Sequence, residues 1–352
     1  MTASALVLLG ARAGRVHARR VAVAATLVAA VGCAGGARDP LPVVPAPAPP
    51  SGQVCRSAAP ATVVSFADAG LARAIRVTLQ VGADEPLTCE LLARVTRLHA
   101  PDAGIRDLSG IENLVRLGEL HIFGANQIRD VTPLGDLPAL TDLNLARNQI
   151  EDIGPLARLR TLTSLDLYGN PVRDITPVAE LTGLIRLRLE HGPDLSHLDA
   201  LRSLTRLGRL ELGGNALTDV GPLASLTGLT RLSLADNPHF ADVTPLAALT
   251  NLEVLDLGGT SVRDLAPLTG LLRITSLSLA GTRVFDLGPL LTMAGLSRLD
   301  LRGNMQLTDI QPLLFHSTLG AGDGVRLEQT GVSCRDVAAL QARGVTVFSS
   351  CR

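Results

Sequence analysis

From residue 117 onward the hydrophobic positions fall into a pattern that returns every 22 or 23 residues. Aligned starts stand at Leu117, Leu140, Leu162, Leu184, Leu207, Leu229, Leu252, Ile274 and Leu296. The shared unit reads L-x-x-L-x-L-x-x-N-x-I-x-D-I-x-P-L-x-x-L-T-x, a degenerate copy precedes it at 95–114, and a last strand-like stretch, VRLEQTGV, begins at residue 325. Two spacings coexist within one unit. In LTDLNLARN (140–148), Leu143 and Leu145 alternate with Asp142, Asn144 and Ala146, which predicts a short strand with one buried face. Asn148 then turns the chain, Pro155 opens a short helical turn where its missing N–H costs least, and Ile150, Ile153, Leu156, Leu159 and Leu162 complete the interior. No unit can bury this face alone, so neighbours must stack. The expected fold class is an α/β repeat solenoid, a horseshoe with a parallel concave β-sheet and short helical turns on its convex side.

The pattern spans residues 95–323 and resembles the leucine-rich repeat family, most closely the 22-residue class found in bacterial internalins. That resemblance implies protein recognition at a surface through concave side chains, although the receptor-contacting residues of an internalin belong to it alone. It extends to the ends. VSFADAGLARAIRVTL (64–79) places Leu71, Ile75 and Leu79 on one helical face, and with LTCELLARV (87–95) it is similar to the helical N-terminal cap of that class, here residues 53–94. The closing segment CRDVAALQARGVTVFSSC, within a C-terminal cap at 324–352, resembles the final helix and strand of an exported repeat protein.

Export is also written at the N-terminus. Residues 12–20 are basic and residues 21–31 form an apolar run of signal-peptide length, too short to span a membrane, so residues 1–32 are expected to be a signal peptide. AVGCAGG then resembles a bacterial lipobox, with Cys33 the residue that would be lipidated, although Ala30 stands where leucine is favoured. Cleavage near Ala37 is the alternative, and Arg19-Arg20 gives a weak twin-arginine signature. Six prolines within 35–52 favour an extended tether, so residues 33–52 read as anchor plus spacer. The expected location is the bacterial cell envelope, attached to a membrane by lipid, or else periplasmic or secreted.

Composition narrows the chemistry. All 32 cationic residues are Arg, so a phosphate-loop, Schiff-base or general-base lysine is excluded. Tryptophan is absent, Tyr168 is the single tyrosine, and the net charge of −1 becomes −5 once the four Arg of the signal segment are removed. Neither stacking platforms nor a phosphate-binding surface can be assembled, and nucleic acid is not an expected partner. Five cysteines leave four if Cys33 is lipidated. Ten parallel strands about 4.8 Å apart would hold the two ends roughly 45 Å from each other, whereas a disulfide needs Cα atoms within about 7 Å. Cys55 is therefore expected to pair with Cys89, and Cys334 with Cys351.

Candidate functional residues divide into columns. Asn126, Asn148, Asn170, Asn215, Asn237 and Asn304 recur at one position, and Asp130, Asp152, Asp174, Asp219, Asp242, Asp264, Asp286 and Asp309 at another. Catalysis needs a carboxylate once or twice, so these are read as scaffold that bonds backbone groups. Specificity is expected instead at the outward strand positions, of which Asp166, Tyr168, Arg186, Arg188, Glu190, Arg209, Glu211 and Arg231 form the densest charged group. Two readings of that group stand open, a protein-binding patch and a solvated ion-pair ladder running Asp166 to Arg188 to Glu211. His121 with Phe123 is a weaker candidate. Towards the C-terminus Ser233, Ala235, Gly258, Ser276, Ser278 and Ala280 suggest a smooth surface. One unit breaks the pattern, LEHGPDLSHLDAL at 189–201, and offers Glu190, His191, Asp194, Ser196, His197 and Asp199. These are residue types for metal or Ser-His-Asp chemistry, but at spacings that favour a tolerated loop variation. The expectation is a non-enzymatic protein with no cofactor and no metal site, binding a protein ligand or adhering through its concave face; the alternative is a structural or self-associating envelope protein.

Overall fold

The computed structural model describes residues 54–192 and 195–351. The expected signal segment, Cys33, the tether and Asp194 lie outside the described residues. Twelve strands form one parallel sheet in strict chain order. They are β1 (Arg97–His99), β2 (Glu119–His121), β3 (Asp142–Asn144), β4 (Ser164–Asp166), β5 (Arg186–Arg188), β6 (Arg209–Glu211), β7 (Arg231–Ser233), β8 (Val254–Asp256), β9 (Ser276–Ser278), β10 (Arg298–Asp300), β11 (Gly324–Leu327) and β12 (Thr346–Ser349). The sheet thus runs on past residue 323, with β11 and β12 paired in the same parallel register as the repeats. The result is an open leucine-rich repeat horseshoe.

The middle residue of each three-residue strand points inward and is buried, while its two neighbours face out. Leu143, Leu145, Ile150, Ile153, Leu156, Leu159 and Leu162 are all in the core, as the periodicity requires. The convex turns are 3-10 rather than α-helical, as at Gly154–Arg158, Gly221–Ser225 and Thr244–Ala248. Runs this short are where 3-10 bonding is commonly used, although the equivalent segment at Gln311–Phe315 is α-helical.

The two repeated polar columns do what their recurrence implies. All eight aspartates accept the N–H two residues ahead through Oδ1, at 2.7–2.9 Å, and so open the following helical turn. The asparagines tie adjacent coils together. Asn148 Oδ1 accepts the Ile128 N–H at 3.0 Å, and its amide donates to the carbonyls of Ile122 in the preceding coil (2.8 Å) and Leu145 in its own (2.9 Å). Immediately before this column the backbone turns left-handed, at Gly169, Gly214 and Gly259 and also at the non-glycine residues Arg147, His191 and Asp236.

The N-terminal end is closed by α1 (Ala69–Leu79), whose Leu71, Ile75 and Leu79 are buried and whose N-cap Asp68 accepts the Leu71 N–H at 2.9 Å. The short α2 (Cys89–Leu92) follows, and Cys89 is disulfide-bonded to Cys55 with Cα atoms 5.2 Å apart. Near the other end lie α3 (Gln311–Phe315) and α4 (Cys334–Ala342). Cys334 is bonded to Cys351, Cα atoms 5.4 Å apart, which fastens α4 to the chain leaving β12. Both pairings are the expected ones, each joining cysteines at one end of the sheet. Among the described residues no helix is long and apolar enough to cross a membrane.

Candidate functional site on the exposed sheet face

Parallel pairing without slippage sorts the outward side chains into two columns along the concave face. The first positions of β5, β6 and β7 place Arg186 beside Arg209 and Arg209 beside Arg231. The third positions of β4, β5 and β6 place Asp166 beside Arg188 and Arg188 beside Glu211. The expected ion-pair ladder is therefore present, but it is one column wide. Next to it runs a column of three like charges, an arrangement that is unfavourable when such residues stand directly opposite one another.

Arg188 is the hub of the ladder. Its Nε lies 2.5 Å from Glu190 Oε2 and 3.0 Å from Glu211 Oε2, its Nη1 lies 3.7 Å from Asp166 Oδ2, and its guanidinium sits 4.2 Å from the centroid of the Tyr168 ring. Burial opposes the charge on Arg188, yet the hydrogen bond it donates to Glu190 and the surrounding carboxylates outweigh it and raise its pKa further. Burial raises the Asp166 carboxyl above the ordinary aspartate range, even though the Tyr168 N–H and Arg188 favour its charged form. Asp166 Oδ1 is held by that Tyr168 N–H at 2.9 Å, so only its second oxygen is turned towards Arg188.

The relative exposure of the charges matters more than the pairing. Side-chain exposure is 60 % for Arg186 and 50 % for Arg209, against 22 % for Asp166, 16 % for Glu190 and 18 % for Glu211. The carboxylates form a recessed layer, and the guanidiniums of Arg186 and Arg209 are the more exposed. Arg186 reaches back to Asp142 Oδ2 at 3.2 Å and Arg209 pairs with Glu211, whereas Arg231 has no ion pair among the described residues. Between the two columns lies a shallow depression of about 180 Å³ bounded by Ser164, Asp166, Arg186, Arg188, Arg209 and Glu211.

Among its described residues, the irregular unit contributes Glu190 and His191 to this patch. Glu190 is taken up by Arg188, and His191 presents its ring edge-on to Tyr168 with centroids 5.2 Å apart. Gly192, which stands in the asparagine column, donates its N–H to Asn215 Oδ1 at 3.0 Å in place of the residue two further on that donates in the regular coils, and Asp199 pairs with Arg202 at 3.1 Å. His197 is exposed, and it joins no group of metal-ligating side chains among the described residues.

The same columns carry groups that the sequence reading passed over. At the N-terminal end His99 and Glu119 stand with His121. Towards the C-terminus the smooth stretch is confined to β7–β9. Beyond it, Asp300 binds Arg302, Arg326 binds Glu328, and Phe348 is half-exposed beneath Arg326. The signal for both groups was available in the alternation of β1 and of β10–β12; the coils of β1, β11 and β12 depart from the consensus, and Asp300 of the aligned β10 coil stands in register beside Arg326 of β11.

With the geometry established, the chain can be set beside known proteins. A model of leucine-rich repeats in two copies matches residues 138–180. An internalin from Listeria monocytogenes aligns at 30 % identity with a TM-score of 0.72, over 81 % of this chain and 90 % of that one. The chain belongs to the leucine-rich repeat family. The functional domain of internalin J from Listeria monocytogenes aligns at 20 % identity with a TM-score of 0.54, over 80 % of this chain and 74 % of that one, a likeness of fold alone. Comparison with curated protein sequences gives no match. As a leucine-rich repeat protein with internalin-like structure, the chain has the architecture of a protein-binding scaffold. Its two disulfides fit an exported, oxidising compartment.

Proposed function

We propose that this leucine-rich repeat protein is a non-enzymatic, envelope-anchored binding or adhesion module, tethered by lipid at Cys33, that recognises a protein ligand through the concave patch of Asp166, Tyr168, Arg186, Arg188, Glu190, Arg209, Glu211 and Arg231. The observation that carries this reading is the like-charged column Arg186, Arg209 and Arg231, exposed beside a recessed layer of carboxylates. A sheet face that served packing alone would place opposite charges across the strands, as the neighbouring column does. Exposed guanidiniums beside an aromatic ring suit a partner that brings acidic side chains to the face, since Arg forms paired bonds with carboxylates and anchors interfaces with Tyr. The lipobox-like AVGCAGG and the six-proline tether would hold that face away from the membrane.

The test is affinity capture from envelope extracts with the wild type and with Arg186→Ala/Arg188→Ala/Arg209→Ala. The triple variant is expected to lose a partner that the wild type retains, and the wild-type capture to weaken with added salt. Retention of every partner by the triple variant rejects the concave patch and favours a structural or self-associating role.

A further inference from the structure

We propose that His99, Glu119 and His121 form a binding site for a divalent transition-metal ion of the zinc type, at the N-terminal end of the exposed sheet face and adjoining the arginine patch. The pairing of β1 with β2 sets His99 directly beside His121, and their imidazoles stack with centroids 4.5 Å apart and planes 11° from parallel. Glu119 lies two residues before His121 on the same strand, so it emerges on the same face. Its Oε1 is 2.6 Å from His99 Nε2 and 3.7 Å from His121 Nε2, and the three ligand atoms lie within 4.8 Å of one another.

A tetrahedral ion with bonds of about 2.0–2.2 Å needs ligand atoms roughly 3.3 Å apart. The two separations from Glu119 Oε1, 2.6 and 3.7 Å, bracket that value, and seating the ion requires the stacked imidazoles to rotate until both ring nitrogens point at it. A second carboxylate is within reach, because Asp142 pairs in register with Glu119 and its Oδ1 lies 3.3 Å from His121 Nε2. It could take the fourth position or leave it to water.

The outer oxygens of both carboxylates are already occupied. Arg97 Nε lies 3.3 Å from Glu119 Oε2 and Arg186 Nη2 lies 3.2 Å from Asp142 Oδ2. Each acid thus turns its inner oxygen to the histidines while an arginine holds the other, which is how ligating carboxylates are oriented from outside a metal site. A set of two imidazoles and a carboxylate with no thiol suits zinc, copper or nickel rather than calcium or magnesium. The sequence reading expects no metal site and does not consider His99, which the pairing of β1 with β2 brings beside His121.

The probe is zinc chloride, titrated calorimetrically into the untagged, chelator-treated full-length protein carrying Cys33→Ser, which removes the thiol outside the disulfides. One equivalent is expected to bind, with affinity lowered at least about tenfold by His99→Gln or His121→Gln and little changed by His239→Gln, which alters a histidine on another coil. Zinc should raise the melting temperature of the protein with native histidines and leave that of His99→Gln/His121→Gln unmoved, while circular dichroism shows both folded. Failure of the Cys33→Ser protein to bind zinc overturns the proposal, and so does unchanged affinity in the double histidine variant.

Discussion

Asn237 is fully buried, and replacing it with alanine tests how the coils are held together. Its Oδ1 accepts the Leu217 N–H at 3.0 Å, and its amide donates to the carbonyls of Leu212 at 3.0 Å and Leu234 at 2.9 Å. Alanine strands one buried donor, the Leu217 N–H, and one buried acceptor, the Leu234 carbonyl, whereas the Leu212 carbonyl keeps the amide of Asn215 at 2.8 Å. At about 1–3 kcal/mol for each buried group left without a partner, and with partial relaxation, the loss is about 2–4 kcal/mol. The molecule supplies its own comparison, because threonine occupies the same column at Thr260, whose hydroxyl donates to Leu257 O at 2.6 Å. Thr260→Ala therefore removes one bond and should cost about 1–2 kcal/mol. Asn237→Thr keeps a donor for Leu234 but not the link between coils, and should fall between the two. Urea unfolding followed by far-ultraviolet circular dichroism is the assay, since the chain has no tryptophan. A loss below about 1 kcal/mol for Asn237→Ala, or one no larger than that of Thr260→Ala, would refute the reasoning.

Three further outcomes are expected. The loops closed by Cys55–Cys89 and Cys334–Cys351 span 34 and 17 residues, so paired Cys→Ser replacements should cost ~3.8 and ~3.1 kcal/mol in chain entropy, measured by the same unfolding assay without reductant. Asp68 is raised by burial, but the N–H groups of Arg106, Leu71, Asp107 and Gly70 outweigh this and hold its carboxyl below the ordinary value of 3.8. Its stabilisation is thus present above that value and is lost as pH falls through the depressed one, so the deficit of Asp68→Asn should shrink in acid; a deficit independent of pH contradicts this. Mass spectrometry of the mature N-terminus should find a lipidated Cys33, and an unmodified start near Ala37 would remove the anchor.

The fold was legible because its cause is periodic. Leu143 and Leu145 state the strand, Asn148 the turn and Pro155 the convex segment, and nine aligned copies leave little else for them to form. The left-handed turn at Arg147 was not legible, because Arg rarely takes that conformation and only the neighbouring glycines of the column mark the position. The candidate site was legible as a set of residues but not as an arrangement. Sequence alternation places Arg186 and Arg188 on one face, whereas the exposure of a guanidinium relative to a carboxylate is set by side-chain packing over several strands. His99 escaped notice for a related reason, since its coil matches the consensus poorly and its neighbours His121 and Glu119 come from the next turn of the solenoid.

The central claim, that a partner protein docks on the arginine-bearing concave face, is tested most directly by photocrosslinking in cells. A photoreactive amino acid is placed at Arg209 on the concave face or at Arg158 on a convex 3-10 turn, both well exposed. Illumination is expected to yield a protein adduct from position 209 and none from position 158. An adduct from position 158 alone, or none from either, contradicts the account.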